Sequence, residues 1–227
     1  MQCALGWACW KTYLGRPETD SAYAGALQVL GNGLHDAYHY EDALTVKEAE
    51  LSMLRRVGAH EQNILAVQTN LANVYQALGR LEHSLQLERD VYHGSVRLLG
   101  EEHRDTLISV NNLAATLFKL KRFEEAKSLI HITTPVARRV LGESHDLTLK
   151  MRKTYAQSLC EGPSATLDDL RQGMTTLEEI ERIARRVFGG AHPFTAETEQ
   201  NLQVIRAALR ARETLAEAMA STTLGDA

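Results

Sequence analysis

One nine-residue phrase constrains this chain more than any other feature. Leu99-Gly100-Glu101-Glu102-His103-Arg104-Asp105-Thr106-Leu107 returns 42 positions later as Leu141-Gly142-Glu143-Ser144-His145-Asp146-Leu147-Thr148-Leu149. The same step backwards places Asn70-Leu71-Ala72 before Asn112-Leu113-Ala114, and Leu78, Arg80 and Glu82 before Leu120, Arg122 and Glu124. Self-similarity at a fixed period of this size marks a solenoid, in which each unit buries its apolar face only against its neighbours.

Each repeat holds two helices, A and B. Leu107, Val110, Leu113, Ala114 and Leu117 recur with helical spacing, so a helix A is expected to start near Asp105 or Thr106 with a side-chain oxygen capping its free amides. After a turn at Lys121-Arg122, helix B is expected from Phe123 to about Leu141, with Ala126, Leu129, Ile130 and Val140 as apolar positions. Gly142 ends it in the left-handed conformation open to glycine, as Gly58, Gly100 and Gly189 do elsewhere. Asp20-Ser21 can cap a first helix containing Leu27, Leu30 and Leu34, and Gly79-Arg80 marks another turn between helices. In the fourth repeat Cys160-Glu161-Gly162-Pro163-Ser164-Ala165 replaces the short turn, which places a surface insertion there before a helix from Leu167 to Phe188. The resulting organisation is a partial repeat or cap helix at 1–14, repeats at about 15–57, 58–99, 100–141 and 142–194, a capping helix at 195–220 and a frayed tail at 221–227. The fold class is all-α, a right-handed α-solenoid.

Composition narrows the function. A formal net charge of −4 offers no basic footprint for nucleic acid. No apolar run approaches the roughly 18 residues of a membrane span. Cys3, Cys9 and Cys160 lack metal spacing and leave an odd thiol, a usage that fits a reducing, cytoplasmic compartment. Trp7 and Trp10 stand near one end, where a cut or unpartnered repeat would expose them.

Small residues separate this array from other two-helix repeats. Gly31, Ala72, Ala114 and Ala156 share one helix A position, and Ala43, Ser84 and Ala126 share one in helix B, which lets the two helices cross closely. A bulky turn residue (Tyr40, Leu81, Phe123) followed by an acid completes the pattern. With these residues the chain resembles the tetratricopeptide repeat family, and within it the 42-residue repeats of kinesin light chains. The Leu-Gly-x-x-His-x-x-Thr-Leu junction, Asn-Leu-Ala in helix A and Arg-Phe-Glu-Glu-Ala at the turn carry the match, which covers about residues 15–205. The heptad coiled coil that joins kinesin light chains to their motor has no counterpart in this sequence, so the resemblance extends to the cargo-binding repeats alone.

That resemblance implies that the A helices line a concave groove for a protein or peptide ligand. The groove would include Asn32, Thr69, Asn70, Asn73, Asn111, Asn112, Phe118, Lys119, Lys150, Lys153, Gln157 and Asn201. Asparagine both donates and accepts, so a ladder of them can pair a peptide backbone without reading its side chains. A pocket near Phe118 and the lysines would supply specificity, favouring an acidic peptide or a terminal carboxylate. The alternative is a structural or self-associating segment of a larger signalling or kinesin-light-chain-like protein.

Sharper chemistries do not assemble. The carboxylate clamp of some tetratricopeptide domains is met at Asn73, Asn112 and Lys150, but Thr69 and Thr154 stand where cations are needed. His103, His145 and His192 recur because the junction recurs and are too far apart to share an ion, so packing or hydrogen bonding is expected of them. His35 and His39, with Asp36 nearby, offer two ligands on one helical face without a third and fourth. Gly31-Asn32-Gly33 lies within a helix with no preceding strand, and no phosphate loop, nucleophile elbow or His-Glu-x-x-His is present. The reading is a non-enzyme without cofactor.

Overall fold

The computed structural model describes residues 7–8, 11–12, 15 and 21–225 of the chain. The helices that follow residue 20 are α1 (Ser21–Asp36), α2 (Tyr40–Arg56), α3 (Glu61–Ala77), α4 (Leu81–Leu99), α5 (Arg104–Lys119), α6 (Phe123–Leu141), α7 (Asp146–Glu161), α8 (Leu167–Phe188) and α9 (Pro193–Gly225). No strand occurs among the described residues. The odd-numbered helices are the A type and α2, α4, α6 and α8 the B type. The final helix continues past the expected end at 220. Trp7 is exposed, while Trp10, Cys3, Cys9 and Asp20 lie outside the described residues.

The chain forms two compact units, residues 1–116 and 117–227. In the first, Leu27, Leu30 and Leu34 of α1 meet Leu44, Leu51 and Leu54 of α2 and Val67, Leu71 and Val74 of α3. In the second, Leu149 and Leu159 of α7 meet Leu170, Leu177 and Ile180 of α8 and Phe194, Leu202, Ile205 and Leu209 of α9. Each fully buried aliphatic side chain contributes about 1.5–3 kcal/mol. Val140, expected among the apolar packing positions, is instead exposed.

Helix A turns into helix B through three residues whose middle member has positive φ: Tyr38 (64°), Gly79 (71°) and Lys121 (59°). The amide of the third residue donates back to the helix, from His39 to Leu34 O, Arg80 to Tyr75 O and Arg122 to Leu117 O, at 2.8–2.9 Å. These bonds close off the free carbonyls at each helix end. Helix B turns into the next helix A differently. Gly100, Gly142 and Gly189 combine φ of 84–95° with ψ of 160–167°. That is an extended mirror-image conformation rather than the left-handed helical one expected, and it is essentially restricted to glycine. Gly58 alone follows the expected course, with φ 65° and the Ala59 amide donating to Leu54 O.

The recurrent histidines cap the helices that follow these glycines. Nδ1 of His103, His145 and His192 accepts from the amides of Asp105, Leu147 and Phe194 at 3.1–3.2 Å. The α5 cap is therefore His103, not Asp105 or Thr106. Thr106 is buried and donates its hydroxyl to Gly100 O at 2.8 Å, fastening the junction from inside.

Close crossing of A and B is visible at the small residues. Ala43, Ala72, Ser84, Ala114, Ala126 and Ala156 are all buried. The fourth B helix has its counterpart at Gly173, displaced in sequence by the insertion. A Cβ there would stand 2.2 Å from Cys160 Sγ and 3.0 Å from the Ala156 carbonyl oxygen. The backbone oxygen cannot retreat without moving α7 against α8. The chain with Gly173→Ala is accordingly expected to lose about 2 kcal/mol, read as a lower urea midpoint.

The converse holds at the turn. Lys121 occupies a conformation that costs an L-residue about 1–2 kcal/mol, against which a glycine adds roughly 0.5–1 kcal/mol of unfolded-state entropy. Lys121→Gly should raise the urea midpoint, with a gain of up to about 1 kcal/mol.

Candidate functional site

In the first unit, helices α1, α3 and α5 carry the asparagines singled out in the sequence. Asn32, Asn70 and Asn73 come together around a cavity of about 210 Å3, closed by Gly31, His35 and Asp36 of α1 and Val74 of α3. Its floor is Lys47, reaching up from α2. This lysine is 1% exposed, and its Nζ donates to Glu50 Oε2 at 3.0 Å and to the Gln28 carbonyl at 3.2 Å. Gly31 is small on its account: a Cβ there would lie 2.6 Å from Lys47 Cε. The stem of Lys47 thus fills the space that helix crossing leaves beneath Gly31.

A second, larger cavity of about 470 Å3 lies on the other side of Asn70, between α3 and α5 with α4 beneath. Leu65, Ala66, Val91, Leu99 and Ile108 give it an apolar lining. Two of its three hydroxyls are turned back into their own helices: Thr69 donates to Leu65 O at 2.9 Å and Ser109 to Thr106 O at 2.7 Å. Asp105 stands at its edge. Asn70 lines both cavities, and Thr69 lines the apolar one. Asn111 and Asn112 are half-buried on α5 and line neither.

The second unit treats its expected residues differently. Phe118 stands edge-on to Phe123 with ring centres 5.4 Å apart, as part of the turn packing. Lys119 is exposed at the end of α5. Lys150 pairs with Asp146 at 2.7 Å. Lys153 is 9% exposed, pairs with Glu197 at 2.7 Å and holds its Nζ 4.9 Å from the centre of the Phe194 ring. Gln157 is half-buried, and Asn201 has its Nδ2 buried without a hydrogen-bond partner. Lys150 and Lys153 are therefore both ion-paired within this chain, so an acidic peptide would have to displace the partly exposed Asp146 and Glu197 to reach them. Thr154, the clamp position that lacks a cation, gives its hydroxyl to Lys150 O.

The first cavity depends on a buried ion pair. Burial pushes the Glu50 carboxyl up from its usual range, and the charge and hydrogen bond of Lys47 pull it back down. Removing Lys47 leaves an uncompensated buried carboxylate, a defect that costs about 3 kcal/mol or more. A carboxyl whose folded-state pKa is raised destabilises the fold once pH exceeds its unfolded value near 4.5. That cost disappears when it is protonated. Lys47→Met is therefore expected to lower the urea midpoint strongly at neutral pH and much less at about pH 4.5, each compared with the unmodified chain at the same pH. Cys160 holds no comparable potential, since burial pushes its thiol up to about 12.

Comparison with known proteins agrees with this architecture. The profile of the tetratricopeptide repeat family matches residues 64–105 and 106–146. No curated protein sequence matches the chain. Among solved structures, BtubC (BKLC) from P. vanneervenii superposes with a TM-score of 0.72 at 16% identity, covering 99% of this chain and 91% of that one. A putative kinesin light chain of nearly identical TPR-like repeats from Podospora anserina gives 0.63 at 20% identity, covering 79% and 82%. A Rap protein complexed with Competence and Sporulation Factor gives 0.57 at 14%, covering 92% of this chain and 58% of that one. At these identities the likeness is one of fold. No helix among the described residues is long and apolar enough to cross a membrane.

Proposed function

We propose that this chain, a tetratricopeptide-repeat protein with repeats of the kinesin-light-chain type, is a non-catalytic interaction module that holds a peptide segment against the A helices α1, α3 and α5. The observation that carries the reading is the position of Asn70 between two cavities of opposite character. A side-chain amide at that point can donate to and accept from a peptide backbone. An apolar residue of the ligand enters the space lined by Leu65, Ala66 and Ile108, and a polar neighbour meets Asn32, Asn73 and the floor at Lys47. Specificity then comes from shape and hydrogen bonding more than from charge, since Asp36 and Asp105 face the ligand alongside the paired Lys47. Binding is accordingly expected to change little with salt.

A second reading has one observation in its favour. Val204 and Leu215 of α9 are 63% and 61% exposed and stand on the same helical face. That strip fits self-association or a structural role within a larger protein.

Panning the chain against a random peptide display library separates the two. The enriched sequences should share an apolar residue beside a polar one. Their affinity should fall about tenfold with Asn70→Ala, equivalent to roughly 1.4 kcal/mol, and vanish with Ala66→Phe, which fills the apolar cavity. Helix content should stay unchanged in both. Enrichment indifferent to both substitutions, or none at all, would overturn the groove; a concentration-dependent molecular mass lost on Val204→Glu would then favour α9.

A further inference from the structure

A third cavity, of about 290 Å3, lies in the second unit between α6 and α8 with α7 beneath. Its residues break the repeat. Counting four positions before the small residue of each A helix gives Leu27, Gln68, Val110 and then Arg152, all buried. One position before it come Leu30, Leu71, Leu113 and then Tyr155. Eight positions after the small residue of the B helices come Leu51, Tyr92 and then Thr134. A charge, a phenol and a small side chain replace apolar or bulky groups, and all three line the same space. Pro135 lines it too and, lacking an N–H, leaves the His131 carbonyl without its helical partner. Departures from local packing rules that converge on one cavity mark a functional site more readily than a packing solution.

The chemistry of the lining is donor-rich. The Arg152 side chain is 6% exposed, and its guanidinium reaches Glu143 at 3.2 Å and Glu179 at 2.6 Å. Arg138 shares Glu143 through its Nε at 2.9 Å. Both carboxylates are about half exposed, at 54% and 51%. They can return to water at little cost, whereas the buried guanidinium cannot follow them. Five N–H groups in a fork leave Arg152 able to receive a planar oxyanion in place of Glu179. Gln172 and the Tyr155 hydroxyl add donors, and the stacked rings of His131 and Tyr155, 5.9 Å apart, give the cavity a flat wall. On a helix of 3.6 residues per turn, Arg152 and Tyr155 point about 140–160° away from Lys150, so this site is distinct from the A-helix face.

We propose that this cavity binds a small organic oxyanion, a carboxylate or phosphate ester on a flat ring, held by Arg138 and Arg152 with the ring against Tyr155 and Pro135. Glu179 occupies the anion's place until the ligand displaces it. The binding is therefore an exchange of carboxylates on Arg152, with the sign of each substitution fixed in advance.

The test titrates the full chain with phenylphosphate, phenylacetate and, as a cation of similar shape, benzamidine, followed by amide chemical shifts and calorimetry. One of the two anions should saturate and shift Thr134, Gln172 and Thr176, and their relative affinity identifies the headgroup. Arg138→Gln should weaken binding about tenfold and Glu179→Gln should tighten it about threefold, because the competing carboxylate is gone. Asn70→Ala should leave it unchanged, which separates this site from the peptide groove. Arg138 and Glu179 are partly exposed, so these variants fold even where a change at Arg152 does not. Preference for benzamidine with loss on Glu179→Gln would overturn the proposal. So would the absence of shifts up to about 10 mM of either anion, which would leave Arg152 a brace between α7 and α8.

Discussion

Everything in this molecule rests on how closely an A helix and its B helix cross. A methyl group, a hydroxymethyl or a hydrogen at the crossing point sets the separation: Ala72 with Ser84 in residues 1–116, Ala156 with Gly173 in residues 117–227. The side chains four residues further along each helix B, Lys47, Glu88, Ile130 and Leu177, are all buried. Two of these four are ionisable, so the same geometric position is apolar packing in residues 117–227 and a polar floor in residues 1–116. The polar choice creates the Asn-lined cavity, because the Lys47 stem fills the space under Gly31 while its ammonium requires Glu50 and the Gln28 carbonyl.

The junctions show a division of labour between backbone and side chain. Glycines at 100, 142 and 189 take a conformation that side-chain-bearing residues avoid, and the histidine three residues later caps the next helix. Repetition of this pair explains why His103, His145 and His192 recur with no ligand in common. At the A-to-B turns the chain is less careful. Gly79 fits its left-handed position, but Tyr38 and Lys121 occupy the same position with side chains attached.

Architecture was largely legible because a period averages over local accidents: the helix boundaries at Phe123, Leu141, Leu167 and Phe188 follow from glycines, turn residues and an insertion. The missed features have separate causes. Gly173 was hidden by the five extra residues before it, which shift the register between repeats. Lys47 and Arg152 carry no mark in the sequence, since nothing local distinguishes a lysine over water from one beneath a glycine. The partners of Lys153 are Glu197 and Phe194, both from α9, so its neutralisation is a tertiary fact. Lys150 is different: Asp146 stands four residues before it on the same helix, and that spacing alone marks the pair. The asparagines of α1 and α3 do gather as their spacing implied, whereas the bulk around Leu65 and Ile108 that defines the apolar cavity depends on how three helices meet.

The position of Asn70 has a consequence for ligand design. One primary amide has one orientation at a time, and Asn70 lines both cavities. Two separate fragments, each suited to one cavity, would impose conflicting rotamers and compete although they never touch. A single continuous segment presenting a carbonyl and an amide in sequence satisfies both at once. Under the proposed reading, the groove would thereby measure the continuity of a backbone as well as the identity of its side chains.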